Sequence, residues 1–261
     1  MGCYYCGGKV TGVEHVPPKS FFPKGLRQDL ITVDSCDLHN QEKSKEDEYI
    51  RAILLSSIKI DEQPHLEVLR NTSMRAIERS VKRAFEKQTT REQAQKVLEI
   101  IEKYKDDPVG GAKAFDEISS QGIMNLGLMG LVTKDTRGET VVDSNGLEVK
   151  AASFLYDEKR FYAFFDCMAR GIFYHELGER CTGRVNILPH TFLREDAPQR
   201  DKDLSEDFLK HFDWAAAKGA QKEIFCYEGA NRLHPETGER ESIFFNFCLF
   251  NTFYFTAVFP L

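Results

Sequence analysis

Long apolar runs are missing from this chain. Stretches such as "FFNFCLF" (244–250) fall far short of the about 20 residues that cross a bilayer. No membrane partner is therefore expected. No secretory leader is expected either, because the first thirty residues are mixed and polar. Met1-Gly2 does not open a myristoylation signal, since Cys6 stands where Ser or Thr is required. A cytoplasmic location is the resulting expectation. There is no internal repeat and no low-complexity linker. An even cysteine framework is also lacking: seven cysteines in a reducing compartment read as metal ligands plus buried thiols. Net positive charge is absent, at -6 overall, which argues against broad non-specific nucleic-acid binding but leaves local patches open.

What is present fits a soluble globular protein. The 261 residues suffice for one large domain or two modest ones, and 41% hydrophobic content supplies a core. Cys167, Cys181, Cys226 and Cys248 lie among apolar residues and read as core thiols. The other three cysteines crowd the start. Cys3 and Cys6 form a Cys-x-x-Cys pair, and Cys36 and His39 form a Cys-x-x-His pair. A structural zinc takes four such ligands in a tetrahedron, and each pair can grip one side of one ion. The long intervening loop is no obstacle, because closure entropy grows slowly with length.

Glu14-His15 and Asn40 lie within the same stretch. Pro17 and Pro18 bar a helix after His15 and place the imidazole on a strand or loop. Asn40 follows His39 directly, so a metal that fixes His39 also fixes Asn40. The Glu14 carboxylate and the Asn40 amide are hard oxygen donors that suit Mg2+ or Mn2+. His15 beside them can deprotonate a water, and the ion can stabilise charge on a scissile phosphate. Taken singly, these three residues have plain readings as a packed histidine, a helix cap and a solvated acid.

The combination "EHVPPKSFF…LITVDSCDLHNQEKSK" resembles the HNH endonuclease (ββα-metal) family over about residues 3–50. The resemblance implies His15 as general base, Glu14 and Asn40 as ligands of a catalytic Mg2+ or Mn2+, and Cys3, Cys6, Cys36 and His39 around a structural Zn2+. It also implies that Lys43 approaches a phosphate; a solvated lysine is the alternative. The implied activity is metal-dependent phosphodiester hydrolysis of nucleic acid, with double-stranded DNA as substrate. By analogy it extends to defence against phage or foreign DNA, with a second copy of the chain or defence-system proteins as partners. RNA cutting, or a zinc-stabilised binding module without cutting activity, are the rival readings. The chain departs from the family pattern at Glu14, where Asp is usual, and at His39, where Cys is commoner. No Asn lies between His15 and Asn40 to orient the base, and Ser44 stands where some members carry a further His.

The implied fold class is α+β. It comprises an N-terminal zinc-stabilised ββα-metal nuclease domain (1–60), a helical segment (61–122) and a C-terminal mixed α+β domain (123–261) of substrate-selecting or sensing role. Within this frame, "SKEDEYIRAILLSSIKI" reads as a helix. Two helices follow, then a short one at "AKAFDEISSQG". A hairpin turns at Asn145-Gly146, and "DEKRFYAFFDCMARGIFYHELGE" is a long amphipathic helix. "KEIFCYEG" and "ESIFFNFCLFNTFYFTAVF" read as strands packed on that helix. Arg75, Arg79, Arg83 and Lys87 recur every four residues and form one basic stripe, either a track for a phosphate backbone or a solvated helix face. Arg170, Arg180 and Arg184 either contact DNA or border the core. Trp214 reads as a core or domain contact.

Overall fold

The computed structural model describes residues 2–260 except 61–62, 89–90, 108–109, 111–113, 115–133, 143–145, 192–196 and 234–236; the placement of some side chains within helices and strands also lies outside it. The fold is mixed α+β, and every sheet among the described residues is antiparallel. The chain divides into two compact units along lines different from the three sequence ranges. One unit joins Met1–Glu48 to Lys159–Leu261, and the other is Tyr49–Glu158. No helix among the described residues is long and apolar enough to cross a membrane.

The first unit begins with a small ββ arrangement. β1 (Gly12–His15) pairs antiparallel with β2 (Thr32–Ser35), with His15 opposite Thr32. The Val16 N–H donates to the Ile31 carbonyl at 3.0 Å and closes the excursion between the strands. A 3-10 turn, Asp37–His39, follows β2, and α1 (Ser44–Leu55) starts just beyond it. Asn40 therefore ends this turn and does not lie on the first turn of α1. The helix stops at Leu55, short of the range expected from its periodicity. There the Ser56 hydroxyl donates to the Ile53 carbonyl at 2.7 Å, the local competition that makes serine a poor helix former.

The body of this unit is a four-stranded sheet of order β5-β8-β7-β6, made of β5 (Asn186–Pro189), β6 (Phe225–Leu233), β7 (Arg240–Leu249) and β8 (Phe253–Pro260). The aromatic C-terminal run is thus two strands joined by a tight turn at Phe250-Asn251, both with positive φ. Asn tolerates that conformation; buried Phe250 is held in it by its N–H bond to the Ile224 carbonyl at 2.8 Å. The long helix α4 (Glu158–Leu177) covers one face of the sheet. Phe165 meets Phe255 at 4.2 Å and Phe173 meets Phe259 at 4.7 Å between ring centroids. Phe21, from the excursion after β1, stacks on both Phe164 and Phe250. Such contacts add about 0.5–1.5 kcal/mol each beyond area burial. Gly171 is where α4 comes closest: a Cβ there would lie 2.6 Å from Val16 Cγ2. The N-terminal hairpin is therefore seated on α4, more than a hundred residues away in sequence.

The other sheet face carries α5 (Gln199–His211) and a row of polar side chains. The Thr256 hydroxyl donates to Asn246 Oδ1 at 2.8 Å, and Asn246 Nδ2 donates to Glu228 at 2.9 Å. Thr256 must then accept from His190 Nε2–H at 2.8 Å, which leaves Nδ1 to accept from Ser205 on α5 at 3.2 Å. His190 also stacks on Phe208, 4.0 Å between centroids. Burial pushes its pKa from 6.5 down to about 4. The unfolded chain thus takes up a proton at this residue below pH 6.5, whereas the folded chain does so only near pH 4. Stability is expected to fall across that window as pH drops. Urea midpoints measured from pH 7 to 4 should show a shallower fall in His190→Gln; equal slopes contradict this assignment. Cys226 and Cys248 are buried on this face beside Phe212 and Ala217, whereas Cys167 and Cys181 are only partly buried. Trp214 is 43% exposed and meets Phe212 and Tyr254 edge-on.

The second unit contains most of α1, then α2 (Glu67–Gln88) and α3 (Arg91–Lys103), and the hairpin of β3 (Lys134–Val142) with β4 (Glu148–Leu155). The Tyr49 hydroxyl accepts the Asp157 N–H at 2.7 Å. The short helix expected at 112–122 lies outside the described residues apart from Ala114.

Candidate metal centre

Cys3, Cys6, Cys36 and His39 converge on one point, with their ligand atoms all within 4.8 Å of one another. The backbone explains how. After Cys6, Gly7 turns left-handed at φ +74, its N–H donates to the Cys3 carbonyl at 2.8 Å, and the Cys3 N–H donates to the Gly8 carbonyl at 2.9 Å. This tight loop presents both sulfurs to one side, and the Gly8 N–H points at Cys6 Sγ, 3.4 Å away. The other pair sits on the turn after β2, and the Tyr4 N–H bond to the Asp34 carbonyl at 2.8 Å joins the two halves. Cys6 Sγ lies 3.8 Å from Cys36 Sγ; His39 Nδ1 lies 3.8 Å from Cys3 Sγ and 3.3 Å from Cys36 Sγ. Zinc–sulfur bonds of about 2.3 Å in a tetrahedron require edges of roughly 3.8 Å between sulfurs, so the four residues fit the ion. Burial raises the Cys3 thiol, but the backbone N–H groups of Cys6, Tyr5 and Cys36 more than reverse this and hold it below its ordinary value. Burial and then Lys43 hold the His39 imidazole below its ordinary value, favouring the neutral form that binds metal.

A second group of side chains lies beside this centre. Glu14 and His15, at the end of β1, line a small hollow with Tyr4, Lys43 and, from α4, Cys167 and Met168. Glu14 is only 6% exposed. Its carboxylate accepts from Lys43 Nζ at 2.7 Å, and the same ammonium donates to both Asp47 oxygens at 2.9 and 3.0 Å. Burial pushes Glu14 up to about 7, against the pull of Lys43. Burial lowers Lys43, but Asp47 and Glu14 outweigh it and hold the ammonium firmly charged. Lys43 is thus directed into this ion pair and not outward. Burial first, then Lys19 and Arg27, lowers the His15 pKa, and no described side chain hydrogen-bonds its ring. Asn40 Nδ2 donates to the Val13 carbonyl at 2.9 Å, which ties the metal-bearing turn to β1 and leaves Oδ1 as the acceptor.

The structure therefore brings together the four predicted metal ligands, and sets Glu14, His15 and Lys43 in one hollow; Asn40 is tied to the Val13 carbonyl of β1 and is not among the residues that line the hollow. The basic stripe lies on α2 in the other unit. Arg75 and Arg79 are exposed there, and Arg75 Nε donates to the Asn71 carbonyl; the side chains of Arg83 and Lys87 lie outside the described residues.

Comparison with known proteins finds no match among protein families, curated proteins or solved structures. The metal-ligand geometry and the hollow beside it carry the functional reading alone.

Sequence reasoning passed over the α4 residues that complete the hollow, since nothing local pairs position 15 with position 167. Asp47 read only as an acid at the positive end of the α1 dipole; its spacing of four from Lys43, which just precedes the helix, was the available signal for the pair.

Proposed function

We propose that residues 3–50 form a zinc-stabilised ββα nuclease site that hydrolyses phosphodiester bonds, with DNA as substrate. The observation that carries this reading is the order β1, β2, α1 built on a four-ligand centre, with Glu14-His15 at the end of β1 facing one hollow. In this reading His15, neutral at pH 7, takes the proton from an attacking water. Lys19 and Arg27, whose charges His15 feels, meet the phosphate oxygens. Arg27 is braced by its Nε bond to the Phe22 carbonyl at 2.9 Å. Lys43 orients Glu14 and is no phosphate contact. The oxygens of Glu14 and Asn40 are the hard donors that Mg2+ or Mn2+ takes, keeping several waters besides. Such an ion, when bound, supplies charge stabilisation at the scissile phosphate. Defence against foreign DNA is the role we assign by analogy with the resembled family.

A second reading is favoured by one observation: Lys43 already neutralises Glu14. A zinc-stabilised binding module without cutting activity keeps such a pair permanently. The deciding experiment incubates zinc-loaded protein and Mg2+ or Mn2+ with supercoiled plasmid, single-stranded DNA and RNA. Metal-dependent nicking of plasmid supports the nuclease, cutting of RNA alone reassigns the substrate, and intact substrates throughout leave the binding module as the function.

A further inference from the structure

The ligand His39 is held by more than the metal-binding turn. Its imidazole stacks on the Tyr5 ring, with centroids 4.3 Å apart and planes 21° from parallel. The Arg170 guanidinium of α4 lies over that same ring, 5.1 Å from its centroid. Arg170 is itself fixed along its whole fork. Nε donates to both Asp166 oxygens at 2.9 and 3.1 Å, Nη1 to the Cys181 carbonyl at 2.9 Å, and Nη2 to the Gly183 carbonyl at 2.9 Å. The segment those carbonyls belong to touches the centre again through Arg180. Its guanidinium carbon is 3.2 Å from where a Cβ on Gly7 would be. Arg170 on α4 thus reaches His39 through Tyr5, and Arg180 on the segment after α4 reaches the Cys3–Cys6 loop.

We propose that Arg170, acting through Tyr5, is a positioning residue for the Cys3/Cys6/Cys36/His39 centre, and that it sets the affinity of the centre for zinc. The physical reason is the one that makes outer partners of metal-bound histidines matter elsewhere. A ring already held in its binding orientation loses little freedom when the ion arrives. Here the holding is done by an aromatic face and a cation over it, where a hydrogen bond to the second imidazole nitrogen is the commoner device. A fixed guanidinium is suited to this. It keeps its charge, lies flat on a ring and has its donors satisfied at the same time. The same guanidinium bonds tie the Cys181–Gly183 segment to Arg170. This inference rests on the metal-binding reading of the four ligands and is independent of nuclease activity.

The test uses the full chain and competition with a chromophoric zinc chelator. Tyr5→Leu removes the ring, Arg170→Met removes the fork at similar length, and Tyr5→Phe keeps the stack. The dissociation constant for zinc is expected to rise about 10–100-fold in Tyr5→Leu and Arg170→Met, and to stay near wild type in Tyr5→Phe. Cobalt substitution gives a second readout. The ligand-field bands of the bound ion should shift in Arg170→Met and not in Tyr5→Phe, which a loss of global stability alone does not produce. Should Tyr5→Leu fail to fold, the comparison of Arg170→Met with Tyr5→Phe decides the matter. Wild-type affinity and unshifted bands in Arg170→Met overturn the proposal. Wild-type protein that takes up neither zinc nor cobalt overturns the metal centre itself, a separate and distinguishable result.

Discussion

Stripping the metal from the Cys3/Cys6/Cys36/His39 centre is expected to unfold the N-terminal hairpin while the four-stranded sheet persists. β1 and β2 have four residues each, and an isolated two-stranded hairpin is marginal in water. The Val16–Ile31 excursion between them adds loop entropy that no short turn repays. A structural zinc contributes on the order of 10 kcal/mol in small domains that depend on it, as much as the whole stability of many domains. The four-stranded sheet needs no such support, because Phe165, Phe173, Phe247, Phe255 and Phe259 are buried between it and α4. Hydrogen exchange separates the two regions. With a strong chelator, or in Cys36→Ser, the amides of Tyr4, Thr11 and Val16 should lose protection, while those of β7 and β8 keep it. Unchanged protection at Val16 in metal-free protein contradicts the role given to the centre.

In the proposed nuclease, His15→Ala is expected to lower the cleavage rate about 10²–10⁴-fold, the range contributed by a positioned general base. Its position at the strand end and its lowered pKa both serve that role, since only the neutral imidazole accepts a proton. No described side chain depends on the ring for a hydrogen bond, so zinc content and thermal midpoint should hardly move. Single-turnover assays at matched zinc content read the effect. Equal rates in the two proteins remove His15 from the mechanism, whatever the substrate.

The cluster that could hold a metal was legible because a Cys-x-x-Cys loop and a Cys-x-x-His turn leave a local signature. Two ligands three apart with Gly7 after them need no tertiary information. The long helix was legible through its apolar period, and the aromatic run through its composition, without the turn at Phe250-Asn251 that divides it into β7 and β8. The surroundings of the hollow were not. Glu14 meets Lys43 across 29 positions and faces Cys167 and Met168 from a helix far along the chain, and no spacing rule encodes such meetings. Lys43 shows the consequence. Following Asn40 it read as a phosphate contact or a solvated lysine, yet a carboxylate on β1 and another in the first turn of α1 claim its ammonium. Arg170 read equally well as a DNA contact or a border of the core, and its place over Tyr5 belongs to the second.

The proposed nuclease needs a second cation held by Glu14 and Asn40 beside the Cys3/Cys6/Cys36/His39 centre. Counting metals tests it most directly. Purified protein should retain one zinc through dialysis and take up one further Mn2+, seen as loss of the free-ion paramagnetic resonance signal; Glu14→Gln should keep the zinc and lose the manganese. Retention of one zinc with no uptake of Mn2+ by the wild type, or equal uptake by Glu14→Gln, contradicts it.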